Sequence, residues 1–539
     1  MLIGLDLDNT IIRYERSIRE IGSAMGIDFS LTGDPTKRNL RDKIRALPEG
    51  ESIWQCIQAK AYGAELDKAE LSKGFREFVL LARLRGCRLI IISHKTEIAP
   101  SDPGRVLLRV AANRWLDDHG FFNRLGFRFD QLYYCATRGE KISKIQSLGC
   151  DVFIDDLTEI LEAPGFPQST RKILFNPGTQ HSRTVLESCG SWKQIIKTLF
   201  GLPQSGEVLA VARQIWPEIS FPIIESIEGR GNSIVFRLPD TTEGDLLLKI
   251  YPDQEMDSRP RMRVEFSALE TLHRKGLPVP RPVRKSDDLE WALYQWLPGN
   301  NPKIICNGFR EAAKQFLEKV NAIPRTSFSF LQPASEACMS GFDLEQQIAG
   351  RLQRLKELRD DSLDEFLSIT FLPLMKESLK KAKASWPRAW DAKIDPGSCV
   401  LSPSDFGTHN CHVSTHGEFS FFDFEYFGLD DPVKLICDFF WHPGMPSLFD
   451  SNRLDVVKTI AQLYRERYSI DESLGLALPL FGLRWILILL NEFHPHLMEK
   501  RMQAQGPSAN PEKIKEGKLA LAGRYAIQAS QALRGDASI

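Results

Sequence analysis

Short apolar segments alternate with amphipathic ones over the first 200 residues of the chain. Five apolar runs predict strands, and they lie at residues 2–7, 88–93, 131–135, 152–154 and 172–175. Helical periodicity lies between them, for example at residues 74–85 and 141–148. This alternation predicts an α/β domain with a parallel sheet and helices on both faces. Ligands of such sheets bind beyond the carboxyl ends of the strands, where Asp6, Ser93 and Asp155 lie.

The pattern changes after residues 201–206, whose Gly, Pro and Ser content predicts a linker. Beyond it, residues 233–238 and 245–251 predict the two strands of a hairpin. Residues 261–274 predict a helix, and residues 291–297 predict another strand. Strand patterns are therefore concentrated shortly after the linker.

Helical patterns predominate from about residue 308 onward, except at the polar residues 503–513, which predict a loop. A small strand-rich lobe at residues 207–300 is thus followed by a larger helical lobe at residues 301–539. This order predicts a bilobal, protein-kinase-like α+β domain at residues 207–539, after an N-terminal α/β domain at residues 1–200.

Composition limits the classes of partner. A length of 539 residues predicts two to four domains, and 42% hydrophobic with 26% charged residues is ordinary for a soluble protein. The net charge of -1 gives no electrostatic basis for binding nucleic acid or a membrane surface. The ten cysteines show no C-x-x-C spacing, and the apolar residues 474–490 contain Pro479 and Arg484, so we predict a buried helix there. The expected location is cytoplasmic.

A candidate phosphoryl-transfer site begins at Asp6-Leu7-Asp8-Asn9-Thr10. A carboxylate at a strand end can attack phosphorus, which is the predicted role of Asp6. Asp8 can protonate the leaving group and later activate water. The structural alternative is that residues 8–10 only cap a helix that starts near Ile11.

Later strand ends add the other groups that this chemistry needs. Ser93 can hydrogen-bond the phosphoryl oxygens, and a lysine, either Lys141 or Lys144, can neutralise them. The acidic pair Asp155-Asp156 follows the strand at residues 152–154. Together with Asp6 and Asp8, this pair forms the predicted Mg²⁺ ligand set.

These motifs together resemble the haloacid dehalogenase superfamily over roughly residues 1–200. The resemblance implies a Rossmann-like fold, an aspartyl-phosphate intermediate and, in most members, phosphatase activity. Residues 14–73 would form a small helical cap, with Trp54, Ile57 and Tyr62 on its apolar face. Phosphosugars, phosphopeptides and a partner protein all remain possible substrates beneath such a cap.

A second candidate site contains Asp405 and Asn410, five residues apart, followed by Asp423 after a short apolar strand. Kinase-type transfer needs a carboxylate near the attacking hydroxyl and further oxygen ligands for Mg²⁺ on the ATP phosphates. Asp405 is the predicted catalytic base. Asn410 and Asp423 are the predicted metal ligands.

The region before this site supplies candidate nucleotide-binding groups. Lys249 alternates out of an apolar strand and can reach ATP phosphates, and Glu265 on the next helix can pair with it. In isolation, Lys249 would be better explained as a solvent-facing strand lysine. The predicted set of further nucleotide contacts comprises a glycine-containing turn and the segment between the lobes: Gly229, Gly231, Ser233, Gln295 and Leu297.

Residues 207–535 resemble the aminoglycoside phosphotransferase/choline kinase-like family, whose catalytic loop is H-G-D-x-H-x-x-N. Here Pro403 replaces the first His, Ser404 replaces Gly, and His409 is displaced. Asp405 and Asn410 keep their spacing. The resemblance implies the kinase roles given above, with Asp423 as the principal metal ligand.

Several nearby polar residues have simpler explanations. Asp430, Asp431 and Asp438 match positions that brace the loop in this family, so we predict a structural role. A zinc site at His409, His412 and His416 is disfavoured by their loose spacing. Trp441 and His442 could touch substrate, but packed aromatic rings are the expected arrangement.

The two sites together predict a bifunctional enzyme. One half would be an ATP-dependent kinase for a small-molecule hydroxyl group, with a sugar or sugar phosphate as the first candidate, and the other a Mg²⁺-dependent phosphatase of the same pathway. Two alternatives remain. The N-terminal domain could serve only binding or regulation, or the kinase half could act on a protein partner.

Overall fold

The computed structural model describes residues 1–29, 36–99, 105–177, 186–227, 233–252, 257, 259–445, 451–495, 497–498, 502 and 510–536. Its first 200 residues contain a six-stranded parallel sheet. In spatial order the strands are Leu132–Cys135, Arg88–His94, Leu2–Leu5, Val152–Asp155, Arg171–Phe175 and Glu187–Cys189. All five predicted strands are present. The sixth, Glu187–Cys189, is short and mostly polar, so it gave no hydrophobic pattern.

Helices surround this sheet as predicted. They are Phe75–Leu84, Leu108–Asp118, Arg138–Leu148, Thr158–Leu161 and Trp192–Phe200, with a short 3₁₀ turn at Phe129–Gln131. Three more helices, Glu15–Ala24, Lys37–Arg45 and Gly50–Tyr62, and the 3₁₀ turn Leu66–Lys68 lie between two short antiparallel strands, Ile12–Arg13 and Glu70–Leu71. These helices occupy the region for which the sequence predicts a cap.

The predicted linker is shorter than expected, because the helix Ser205–Ile215 begins within it. Gln204 and Glu207 form a reciprocal capping box, in which each side chain accepts a hydrogen bond from a backbone N–H near the helix start. This cap starts the helix two residues before the expected end of the linker.

A five-stranded antiparallel sheet follows, in the order Pro282–Ser286, Trp291–Gln295, Gly244–Ile250, Ile234–Thr241 and Glu225–Ile227. The predicted hairpin pairs Phe236 with Leu248. The helix Arg261–Arg274 matches its predicted bounds. The last predicted strand ends at Gln295 rather than at residue 297.

The remaining residues are mainly helical. The helices are Asn307–Asn321, Gly341–Lys356, Asp361–Phe366, Leu372–Ser385, Pro432–Trp441, Ser451–Arg465, Asp471–Leu489 and Pro511–Arg534, with a π-turn at Leu367–Phe371 and 3₁₀ turns at Arg325–Ser327, Pro396–Ser398, Thr408–Asn410 and Leu490–Phe493. Two small strand pairs, Val400–Ser402 with Gly428–Asp430 and Cys411–Val413 with Phe419–Phe421, hold the loop that contains Asp405.

The predicted loop at residues 503–513 is wrong at its end. The helix Pro511–Arg534 starts there because the Asn510 side chain accepts hydrogen bonds from the backbone N–H groups of Glu512 and Lys513. Residues 503–509 lie outside the described residues.

The segment Asp471–Phe493 is long and apolar enough to cross a membrane, with a mean hydropathy of 2.0, but 78% of its most apolar window is buried inside the protein. Its helix packs against Trp441, whose indole N–H donates to the carbonyl oxygen of Leu478. The buried helix predicted from the sequence is therefore present.

One hydrophobic core joins the parallel sheet to the antiparallel sheet. Ile3 and Trp192 of the first region belong to the same buried cluster as Phe236, Leu248 and Leu293 of the second. A separate cluster fills the helical lobe.

Polar contacts reinforce the joint between these two regions. The Lys193 ammonium donates to the Tyr251 carbonyl oxygen at 2.8 Å, and Arg76 pairs with Asp288 at 3.2 Å. The N-terminal region is thus packed onto the strand-rich lobe.

Candidate active sites

Three carboxylates and one lysine meet at the carboxyl edge of the parallel sheet. Lys141 Nζ lies 2.5 Å from Asp6 Oδ1 and 2.7 Å from Asp155 Oδ2. Asp6, Asp155 and Asp156 each offer an oxygen within 4.8 Å of the others, close enough to share one cation. Parallel neighbouring strands end at the same edge, which brings residues about 150 positions apart together.

Negative groups outnumber positive ones in this cluster, which has three carboxylates and one lysine. Burial, helped by the neighbouring Asp155 and Asp8 carboxylates and opposed by Lys141, raises the pKa of Asp6 to about 7. Burial, with Asp6 and Asp155, also raises the pKa of Asp156 well above its ordinary value. Carboxylate oxygens are the donors that Mg²⁺ prefers, so the cluster fits the predicted ion.

The structure distinguishes the two candidate lysines. Lys141 is buried between Asp6 and Asp155, whereas the Lys144 ammonium lies over the ring of Tyr133. Both are on the helix Arg138–Leu148, but three residues of helical turn point them to different surroundings. Lys141 is therefore the lysine at the carboxylate cluster.

Ser93 and Asp8 lie near the cluster but have different surroundings. The Ser93 hydroxyl is fully buried, and its oxygen has no hydrogen-bond partner among the described residues. Asp8 Oδ1 accepts from the Tyr14 hydroxyl at 2.5 Å and lies 2.9 Å from Lys95 Nζ. The Asp8 carboxylate is thus not in the group of oxygens that could share the cation, contrary to its predicted place in the ligand set.

A cavity of about 440 Å³ opens beside Asp8. Its lining comes from the helix Gly50–Tyr62, from the segment after Ser93 and from the start of the helix Leu108–Asp118: Gln55, Gln58, Ala59, Tyr62, His94, Lys95, Thr96, Ala99 and Leu108. Lys95 is buried and lies over the Tyr62 ring, which in turn stacks on Tyr14 with 4.0 Å between ring centroids. Besides the Asp8 carboxylate, the polar residues of this lining carry carboxamide, hydroxyl, imidazole and ammonium groups.

The second site is built around Lys249. Its ammonium lies 2.7 Å from Glu265 Oε2, 2.6 Å from Asp423 Oδ1 and 3.1 Å from Glu425 Oε2. The lysine is on the strand Gly244–Ile250, Glu265 is on the following helix, and the two other acids come from the loop after Phe421. The solvent-facing alternative for Lys249 is therefore wrong, since the residue is buried.

Burial raises the pKa of Glu265 to about 6 and also raises the pKa of Asp423, while Lys249 opposes both shifts. Glu265, Asp423 and Glu425 offer oxygens within 4.8 Å of one another. Glu425 is further paired with Arg261. Asp423 itself has a φ of 66°, an uncommon left-handed backbone conformation for a residue other than glycine.

Asp405 is held by its own loop. The Asn410 amide donates to the Asp405 carbonyl oxygen at 2.9 Å, and His409 Nε2 lies 2.8 Å from Asp405 Oδ1. Ser404 has a φ of 65°, in the region that favours glycine, which explains why the related loop motif has Gly at that position. Asn301 ties the loop to the segment between the lobes by donating to three of its carbonyl oxygens.

The other predicted nucleotide contacts belong to the strand-rich lobe and to the segment between the lobes, near the cleft where Lys249 of one lobe contacts Asp423 of the other. The Leu297 carbonyl oxygen lies 3.1 Å from His412 Nδ1, and the Gln295 backbone N–H donates to Arg281. The Ser233 hydroxyl donates to Glu425 Oε2 at 3.4 Å. Gly229 and Gly231 lie outside the described residues.

The acidic residues predicted to brace the loop form buried ion pairs. Lys434 lies 2.9 Å from Asp430 and 3.2 Å from Asp438, and its ammonium donates to the Ser404 hydroxyl. Arg484 also pairs with Asp438, at 2.9 Å. These ion pairs therefore hold Lys434, which contacts the loop at Ser404.

The three histidines of the disfavoured zinc site have different surroundings. His412 contacts the segment between the lobes and His416 is exposed, so neither accompanies His409. Trp441 is packed in the core, as expected. His442 instead lies beside Asp405, with 3.2 Å between its Nε2 and Asp405 Oδ1.

Sequence reasoning missed four residues that the fold brings to these sites: Tyr14, Lys95, Glu425 and His442. Glu425 follows Asp423 by two positions, and Lys95 follows Ser93 by two, so each had a weak local signal. The sequence placed His442 near the site but predicted packing for it, and its contact with Asp405 had no local signal because the two residues are 37 positions apart on different elements.

Comparison with known proteins gave one family match. Residues 224–465 match the model of the phosphotransferase enzyme family. A comparison with curated proteins gave no match.

Similar solved structures include a spectinomycin phosphotransferase in complex with ADP and spectinomycin, at 13% identity and a TM-score of 0.43, over 61% of this chain and 99% of that one. A choline/ethanolamine kinase family protein from Mesorhizobium loti has 16% identity and a TM-score of 0.40, over 61% and 97%. An ethanolamine kinase from Plasmodium vivax has 14% identity and a TM-score of 0.39, over 61% and 92%.

Proposed function

We propose that the phosphotransferase-family domain at residues 224–465 transfers the γ-phosphoryl group of ATP to a hydroxyl group of a small molecule. The observation that carries this proposal is the ion-paired lysine of the second site. Lys249 joins strand, helix and loop through Glu265 and Asp423, and a lysine in this position can bind ATP phosphates.

Each residue of the cleft would have its own role in phosphoryl transfer. Asp405 accepts a hydrogen bond from the acceptor hydroxyl and orients it, while the ammonium of Lys249 neutralises phosphate oxygens. Asn410 and Asp423 would hold Mg²⁺, with Glu425 close to Asp423. When bound, Mg²⁺ neutralises charge on the phosphates. Leu297 and Gln295 line the segment between the lobes, where backbone groups would meet adenine.

We further propose that the N-terminal site is a phosphatase. Its supporting observation is the buried Asp6–Lys141–Asp155 arrangement, which provides a nucleophile, a cation for phosphoryl oxygens and a carboxylate pair. The Ser93 hydroxyl, which has no hydrogen-bond partner in the described part of the chain, can donate to a phosphoryl oxygen. Asp6, Asp155 and Asp156 would hold Mg²⁺, and Asp8 would exchange a proton with the leaving group.

The cavity beside Asp8 favours a small substrate. Its volume of about 440 Å³ is in the range of small-molecule pockets, and its glutamine, threonine and lysine side chains suit a hydroxyl-rich phosphomonoester. A sugar phosphate is therefore our first candidate, ahead of a phosphopeptide. The cytoplasmic location remains a prediction.

The kinase proposal is tested by ATP turnover. Purified protein is incubated with Mg-ATP and a pool of sugars, sugar phosphates and amino alcohols, and products that gain one phosphoryl group are identified by mass spectrometry. Asp405→Asn and Lys249→Met should each lower turnover by about 100-fold or more: the first removes the carboxylate that orients the acceptor hydroxyl, and the second removes the positive charge at the reacting phosphates. The control Lys285→Met changes an exposed lysine of the same sheet. Full turnover in both site variants would refute the assignment.

The phosphatase proposal is tested separately with para-nitrophenyl phosphate and a panel of sugar phosphates. Asp6→Asn and Lys141→Met should lose hydrolysis, whereas the matched control Lys144→Met, one helical turn away, should retain it. Chelation of divalent cations should stop hydrolysis, and Mg²⁺ should restore it. If Asp6→Asn leaves all turnover intact, the N-terminal region serves binding or regulation only.

A further inference from the structure

Two imidazole rings converge on one oxygen of Asp405. His409 Nε2 lies 2.8 Å from Asp405 Oδ1, and His442 Nε2 lies 3.2 Å from the same atom. The rings are stacked, with 3.9 Å between their centroids and 9° between their planes. About 29% of the Asp405 side chain remains exposed, which leaves the carboxylate accessible to an acceptor.

The hydrogen bonds of His442 define its tautomer. The backbone N–H of Gly444 donates to His442 Nδ1 at 3.0 Å, so Nδ1 is an acceptor and the ring proton resides on Nε2. Burial lowers the pKa of His442 to about 4, which keeps the ring neutral near physiological pH. The Nε2–H group therefore faces Asp405 Oδ1.

Further contacts hold this residue. Arg453, a buried residue, donates to the main-chain carbonyl oxygen of His442 at 2.9 Å, which anchors the backbone. The Trp485 ring meets the His442 ring edge-on, with 4.8 Å between the ring centroids. His409 lacks comparable support, because its Nδ1 is buried without a hydrogen-bond partner among the described residues. The His442 ring thus supports the His409 ring by stacking against it.

Asp405, His409 and His442 also have the donor types of a transition-metal site, with ligand atoms within 4.8 Å of one another. Metal binding at His442 Nε2 would require the proton to move to Nδ1. That proton would then point at the N–H of Gly444, which is a donor. The tautomer thus favours hydrogen bonding to Asp405 over metal binding.

We propose that His442 is a positioning residue for the kinase reaction: it supports the His409 ring and directs its own Nε2–H at Asp405 Oδ1, which fixes the carboxylate that orients the acceptor hydroxyl. This proposal rests on the proposed kinase function of the second site. The orienting group would then come from outside the loop, since His442 follows the helix Pro432–Trp441. The loop itself has Pro403 where the related motif has its first His.

The first test measures Mg-ATP turnover and Mg-ADP affinity in the full chain. His442→Phe keeps the ring but removes the N–H, and it should lower kcat about 10- to 100-fold, the effect of one hydrogen bond to a charged group, without changing the affinity for Mg-ADP. His442→Gln retains an N–H donor and should recover part of the loss. The control His416→Gln changes an exposed histidine and should match wild type.

The results separate this inference from the function on which it rests. If Asp405→Asn retains activity, the kinase assignment fails. If Asp405→Asn is inactive but His442→Phe matches wild type, the positioning role alone fails. A parallel loss of Mg-ADP affinity in His442→Phe would also overturn it, because that loss indicates general damage to the cleft.

A second test needs no turnover. Protein with ¹⁵N-labelled histidine is studied by NMR, and the His442 ring signals are assigned by comparison with His442→Phe. The proposal expects a neutral ring protonated at Nε2. Protonation at Nδ1, or a shift of these signals on stoichiometric Zn²⁺ addition, would overturn it in favour of the other tautomer or a metal site.

Discussion

At the residue scale, each site contains one buried lysine among several carboxylates. Lys141 lies between Asp6 and Asp155, and Lys249 contacts three acids. A buried charge is costly unless it is paired, and in both clusters the acids outnumber the lysine. The surplus of negative charge is what a divalent cation would offset, and it adds to burial, the largest cause, in raising the pKa of Asp6 and of Glu265.

His442 gives a pH-dependence with a defined sign. Its folded-state pKa is about 4, below its ordinary value of 6.5, so the unfolded chain binds the proton first as the pH falls. The free energy of unfolding should therefore decrease as the pH falls from about 6.5 towards 4, by roughly 3 kcal/mol in total. Above about pH 6.5 the His442 ring is mainly neutral in both the folded and the unfolded chain, so this loss of stability is absent.

The measurement compares melting temperatures of wild type and His442→Gln at about pH 7.5 and about pH 5. Wild type should lose more stability on acidification than the variant, which lacks the titrating ring. Equal losses in both proteins would show that the His442 pKa is not lowered by folding.

At the element scale, the helix Asp471–Leu489 is fitted to the core at one glycine. A Cβ on Gly482 would lie 2.7 Å from Cζ2 of the fully buried Trp441. Gly475 of the same helix is exposed, and a Cβ there would meet nothing within 4 Å. Two glycines of one helix thus have opposite roles, although the sequence gives no sign of it.

Substitution by alanine should separate these roles. Gly482→Ala should destabilise the protein by about 1–3 kcal/mol through overpacking, less the helix-propensity gain. Gly475→Ala should be neutral or stabilising by up to about 1 kcal/mol. Thermal unfolding of both variants beside wild type is the measurement. A stable Gly482→Ala would mean that Trp441 can move aside.

At the scale of the whole molecule, the N-terminal region and the strand-rich lobe share one hydrophobic core. Trp192 and Leu293, from opposite sides of the joint, belong to the same buried cluster. Arg85 and Glu207, as well as Lys193 and Tyr251, add polar contacts across it. Burying apolar surface is the main source of association energy, so the two regions should behave as one body.

Cleavage of the connection tests this joint. A protease site inserted after Leu202, an exposed residue between the two regions, allows the chain to be cut without other change. The two fragments should remain together in size-exclusion chromatography after cleavage, because the shared core holds them. Elution as two separate species would contradict a common core. Protein without the inserted site, treated with the same protease, is the control.

The sequence by itself determined the elements and the candidate chemistry. Periodicity located the five main strands of the parallel sheet and the helix Arg261–Arg274, because alternation and helical spacing are local properties. The spacing of Asp405 to Asn410, and the strand-end positions of Asp6 and Asp155, identified residues that the fold does bring to its two clefts.

Only the tertiary structure decided which groups meet. The choice of Lys141 over Lys144, the exclusion of Asp8 from the carboxylate group and the approach of His442 to Asp405 depend on side-chain direction and on contacts between distant segments. The shared core of the two regions also depends on contacts between distant segments. Such contacts arise from packing among elements far apart in the chain, and no local pattern records them.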